Sequence, residues 1–191
     1  MNEASKSILK KAILILIAFA VLVTVICASL SYDEIEEVTT PHQVVDGVSY
    51  IQSQETVMKS GETVQLLCSY SFETLSEEDN VYILKFSLYQ GDTSGTYSLK
   101  NYRANIQLPE GAICRMAYSS DGSKASKSEI TYSDGCEVVK CTGSKSLEAE
   151  IVITGDIGTR LDVVVSYDII GTGRRMFMKF HDEIATFELN L

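Results

Sequence analysis

ETVQLLCSYSF, residues Glu62 to Phe72, decides the fold. Val64, Leu66, Cys68 and Tyr70 fall on every second position, so an extended chain carries them in one row on one face. The same habit recurs on both sides of this stretch. VYILKFSLY (Val81–Tyr89) is rich in β-branched and aromatic residues. YRANIQL (Tyr102–Leu108) and AICRMAY (Ala112–Tyr118) flank a Pro109–Gly111 turn, and SEITYSDGCEVVKC (Ser128–Cys141) holds an Asp134–Gly135 pair suited to a hairpin. EAEIVITG (Glu148–Gly155) leads through Asp156–Gly158 into TRLDVVVSYDII (Thr159–Ile170). GTGRR (Gly171–Arg175) then turns the chain back into MFMKF and IATFELNL. About nine short strands at this spacing predict an all-β domain, an antiparallel β-sandwich. Long loops are expected at SEEDN (Ser76–Asn80) and SSDGSKASKS (Ser119–Ser128).

Ahead of the strands stands KKAILILIAFAVLVTVICASLSYDEIEE (Lys10–Glu37). Its apolar run, Ala12 to Leu30, carries no charge. As a helix it reaches roughly 28 Å, enough for a hydrocarbon core of about 30 Å. Lys6, Lys10 and Lys11 precede the run, and Asp33, Glu34, Glu36 and Glu37 follow it. Basic flanks stay cytoplasmic, so the prediction is a single-pass protein with its N-terminus inside. The division expected is a basic cytoplasmic N-terminus (residues 1–11), a transmembrane helix or signal anchor (12–31), an acidic linker (32–43) and an extracytoplasmic β-sandwich (44–191). A signal cleaved after Ser31, with Ser29 at −3, is the alternative to a retained anchor and would make the domain secreted. Cys27 follows Ile26 rather than a small residue, which argues against lipidation.

Residues 32–191 keep 13 of the 16 Lys+Arg and 25 of the 26 Asp+Glu, a net of −12. Such a surface repels phosphate backbones, so nucleic acid is not an expected partner. Cys68, Cys114, Cys136 and Cys141 lie outside the span. Their even number predicts two disulfides with three possible connectivities, among them a local Cys136–Cys141 bridge that leaves Cys68 to pair with Cys114 across the sheets; buried free thiols are the alternative. With no CxxC pair and two histidines in all, no metal site is expected.

KSGETVQLLCSYSF (Lys59–Phe72), a strand pair, LPEGA (Leu108–Ala112) and CTGSKSLEAEIVITGDIGTRLDVVVSY (Cys141–Tyr167) follow in an order that resembles the immunoglobulin-like repeats of bacterial and archaeal surface proteins. Those repeats carry an Asn-rich turn after the first strand, where this chain has Glu73–Asn80. The resemblance implies an immunoglobulin-like sandwich serving as a spacer, adhesive or assembly module, with no catalytic residues to carry over. The N-terminal layout, a short basic leader before an apolar helix and a β-rich head, also resembles pilin-like proteins, archaeal pilins and archaellum subunits above all. That likeness implies cleavage near Lys11 or Ala12, with residues 12–30 as the packing helix of a filament. The glutamate of bacterial type IV pilins is absent from Ile13–Leu22.

Catalytic patterns are missing. His42 lies in the expected linker, and His181 opens HDE, which interrupts the last strands. Neither has a nucleophile motif beside it. The oxygen-rich turns at Asp121–Ser123, Asp134–Gly135 and SEEDN suit calcium best among small ligands, but turn chemistry alone accounts for them. No cofactor, small-molecule substrate or enzyme activity is expected. Arg174 and Arg175 form a basic spot on an acidic surface and are the candidate partner-docking residues. The expected partners are the membrane, through residues 12–30, and another envelope or surface protein.

Overall fold

The computed structural model describes residues 3–30, 32–46, 49–93, 95–121 and 128–190. It is a two-sheet antiparallel β-sandwich preceded by one apolar helix, α1 (Glu3–Leu30). Within α1, the 21 residues Ser7–Cys27 have a mean hydropathy of 2.5, long and apolar enough to cross a membrane. None of that segment is buried in the protein, which separates it from a core helix.

The strands in chain order are β1 (Ile35–Val38), β2 (His42–Asp46), β3 (Ser49–Met58), β4 (Thr63–Ser76), β5 (Val81–Thr93), β6 (Tyr97–Gln107), β7 (Ile113–Ser120), β8 (Ser128–Ser133), β9 (Cys136–Gly143), β10 (Leu147–Thr154), β11 (Arg160–Gly171) and β12 (Lys179–Asn190). One sheet runs β1-β3-β4-β5-β10-β7, with β2 also on β3; the other runs β12-β11-β6-β9-β8. The row read from the sequence faces inward: Val64, Leu66, Cys68 and Tyr70 are buried, packed with Leu84, Phe86, Ile151, Tyr102, Val163, Tyr167 and Phe187. The Asp134–Gly135 hairpin is present, with both residues left-handed (φ 53° and 81°), as a two-residue turn between twisted strands requires.

Several expectations need correction. Residues 32–43 are no free linker. β1 and β2 lie end to end along the same edge of β3, pairing Ile35 with Met58 and His42 with Ser53. The interruption falls at Pro41, a residue without an N–H that edge strands tolerate. Thr39 keeps the ladder going, its amide donating to Glu55 O (2.8 Å) and its Oγ1 accepting from Glu55 N (2.8 Å). SEEDN is a tight turn rather than a long loop. In the other loop region, residues 122–127 lie outside those described. MFM belongs to the β11–β12 connection, and HDE sits inside β12.

Cys68, Cys114, Cys136 and Cys141 form no disulfide among the described residues and are free thiols. Cys136 and Cys141 share strand β9, five residues and therefore about 16 Å apart, where a disulfide needs Cα atoms within roughly 7 Å. Cys68 on β4 and Cys114 on β7 are separated by β5 and β10, about 14 Å across the sheet. Burial pushes the Cys68 thiol up to about 12 and the Cys141 thiol up to about 11.

Candidate functional site

The register places one end of the sandwich beside the exit of α1. β1 starts there, opposite Met58, and with it come the β3–β4 turn, the start of β6 and the β11–β12 connection. Asp33, three residues beyond α1, turns inward and is 5 % exposed. Its carboxylate accepts from Ser60 Oγ (2.6 Å), Tyr97 OH (2.8 Å), Glu34 N (3.0 Å) and Ser60 N (3.1 Å). Burial pushes this carboxyl up, but the hydrogen bonds from Ser60, Tyr97 and the backbone amides outweigh it and hold it below the usual carboxylate range. For Tyr97 burial and the bond to Asp33 act together and raise the phenol.

Arg175 completes the cluster. It is 7 % exposed, with Nη2 3.4 Å from Asp33 Oδ2 and Nη1 donating to Tyr32 O at 2.8 Å. One guanidinium thus ties the chain leaving α1 to the far side of the sandwich. The arginine is delivered by a 3-10 turn, Gly173–Arg175, whose start is anchored by Thr172 N and Oγ1 donating to Thr96 O (2.6 and 3.0 Å). Gly171 is required here, because a Cβ would run into the Arg175 carbonyl. Arg174 points the other way, its side chain 69 % exposed, and pairs with Glu62. Burial raises the Glu62 carboxyl, yet Arg174 and Thr96 bring it below its usual value.

The docking pair is therefore split: Arg175 is spent inside the protein and Arg174 alone is offered outward. Asp33, Ser60, Glu62 and Tyr97 were not singled out from the sequence. Asp33 meets Ser60 and Tyr97 across 27 and 64 residues and Glu62 meets Arg174 across 112, so no short-range pattern announces them.

A second polar cluster surrounds Asp168, 4 % exposed, where the β11 register slips against both neighbours. It accepts from Asn101 Nδ2 (2.7 Å) and Asp182 N (3.2 Å), with His181 Nδ1 at 3.4 Å and Arg103 Nη2 at 3.6 Å. Burial raises this carboxyl, and Asn101, Asp182 and His181 outweigh it to leave it lowered. Asn101 and Asp182 are both left-handed (φ 56° and 58°), so the carboxylate staples two unusual backbone sites of a bulge. HDE is thereby accounted for as bulge chemistry. Among the described residues no group of three His, Cys, Asp or Glu converges on a cation position. A basin of about 360 Å³ over Ser69, Ser71, Lys85, Tyr118 and Glu148 is shallow and open along the sheet.

The chain matches no known protein family and no curated protein. Among solved structures it is similar to the major pilin subunit BcpA of Bacillus cereus, at 10 % identity and a TM-score of 0.37, over 76 % of this chain and 49 % of that one. It is also similar to the KRT10-binding region domain of the pneumococcal serine rich repeat protein PsrP, at 11 % identity and a TM-score of 0.27, over 80 % of this chain and 98 % of that one. The chain spans about half the length of the pilin subunit. Likenesses this remote carry no argument about function.

Proposed function

We propose that this chain is a membrane-anchored extracytoplasmic β-sandwich, a structural or protein-interaction module of the cell envelope. The supporting observation is the junction after the apolar helix. A stalked domain would leave α1 through a free linker, whereas here Tyr32 and Asp33 are gripped by Arg175, Ser60 and Tyr97 within three residues of Leu30. Such a grip keeps the sandwich within a few residues of the end of the apolar helix. Contacts to an envelope partner fall to the opposite end, where the β4–β5, β6–β7 and β10–β11 turns meet; Gly155 N donates to Asn80 O at 3.0 Å.

Labelling of lysines by a membrane-impermeant reagent in cells expressing the full chain tests this reading. Lys85 and Lys140 should label while the membrane is intact, and Lys10 and Lys11 only after permeabilisation. Labelling of Lys85 and Lys140 that waits for permeabilisation would refute it.

A further inference from the structure

We propose that the tip of the β11–β12 connection, Met176–Phe177, is a second membrane contact, seated in the lipid–water interface with Arg174 at the lipid phosphates. The inference rests on the anchored reading above and adds a surface that reading does not require.

Its place comes first. Arg175 Nη1 bonds Tyr32 O at 2.8 Å, and Tyr32 lies two residues past the end of α1. The apolar span ends at Cys27, five residues before Tyr32, so the membrane that α1 enters lies on the side of the sandwich that carries this connection. Next comes its chemistry. Phe177 is 75 % exposed, Met176 57 % and Tyr32 63 %, whereas Met178 and Phe180 turn back onto the core. Aromatic side chains with this exposure are favoured at the headgroup level of a bilayer. Arg174 keeps donors beyond those that Glu62 uses, since its side chain is 69 % exposed. Lys179, which opens β12 opposite Ile170, is exposed as well, on a domain whose net charge is otherwise strongly negative.

The tip is also held rigidly. Arg175 N donates to Thr172 O (2.9 Å), Met178 N to Arg175 O (2.8 Å) and Gly171 N to Met178 O (2.8 Å). The apolar pair is thus displayed by a closed, hydrogen-bonded loop, and inserting it costs little backbone ordering entropy at the moment of contact.

The chain has no tryptophan, so Phe177→Trp installs a single indole reporter, and Leu75→Trp places a control near the end of β4, beside the β4–β5 turn at the opposite end. Each full-length variant is reconstituted into phosphatidylcholine–phosphatidylglycerol vesicles, with and without brominated acyl chains. The expected result is a blue-shifted emission for F177W that loses most of its intensity to the brominated lipid, with L75W unshifted and unquenched. If the protein floats with the vesicles after an alkaline wash while F177W emits like L75W, the loop stays in water or awaits a protein; the proposal is then overturned and the anchor stands. If the protein does not float, the anchored reading and this proposal fall together.

Discussion

Replacing Arg175 with methionine keeps the aliphatic stem and removes the charge and every donor. The side chain is 7 % exposed and faces an Asp33 carboxylate that is 5 % exposed. The substitution deletes the 2.8 Å bond to Tyr32 O and the 3.4 Å ion pair, and leaves Asp33 with its acceptor bonds from Ser60, Tyr97 and Glu34. Loss of one partner of a buried pair costs about 3–5 kcal/mol, and the surviving hydrogen bonds to Asp33 place this case at the low end, about 3 kcal/mol. For a domain of this size that lowers the melting temperature by roughly 6–12 °C. Arg174→Met is the internal control. Its guanidinium is 69 % exposed, and the buried Glu62 keeps its bonds from Thr96, so a smaller loss of about 1–2 kcal/mol is expected. Thermal unfolding by circular dichroism reads both variants, and hydrogen exchange of residues 32–38 reads whether the junction has come loose. Equal melting temperatures for the two variants, with unchanged exchange in that segment, would refute the assignment of Arg175 as the clamp.

Other outcomes follow from the same geometry. Alkylation of the native protein at mildly alkaline pH should leave Cys68 and Cys141 unmodified, since burial raises their thiols to about 12 and about 11; rapid labelling of either contradicts the packing, and a disulfide mass would contradict the free thiols. Asp33, Glu62 and Asp168 all titrate below their ordinary values of 3.8, 4.5 and 3.8. Depressed carboxyls contribute stability that is whole above those ordinary values and is lost as pH falls through the lower folded ones, so the melting temperature should hold down to that region and then decline; a maximum in acid would contradict the assignment. Tyr102→Phe removes a fully buried hydroxyl that has no hydrogen-bond partner among the described residues and should change stability by roughly 0 to +1.5 kcal/mol; a loss of that size in denaturant melts would show that the hydroxyl is bonded.

Much of this architecture is written in local patterns. Alternation at Val64–Tyr70 identifies a core row, and Asp134–Gly135 identifies a hairpin, because both signals are fixed by the backbone within a few residues. The unbroken apolar run in α1 is equally local. The acidic stretch after it misleads for a physical reason. Asp33, Glu34, Glu36 and Glu37 look like a solvated linker, yet β1 is an edge strand that exposes Glu36 and Glu37, and Asp33 just ahead of it is buried. The cysteines mislead for another. Counting thiols says nothing of which strands carry them, and strand order separates Cys68 from Cys114. The clamp was the least legible feature, since Asp33, Ser60, Tyr97 and Arg175 meet only when both sheets and the β11–β12 connection are in place.

The most direct test of the anchored account is the intact mass and N-terminal sequence of the mature protein recovered from an alkali-washed membrane fraction. The account predicts a chain that stays in the washed membranes and retains Ser7–Cys27 intact. A start near Ala12 would redirect the search to filaments packed through residues 12–30, and a soluble chain starting after Ala28 or Ser31 would contradict the membrane anchor outright.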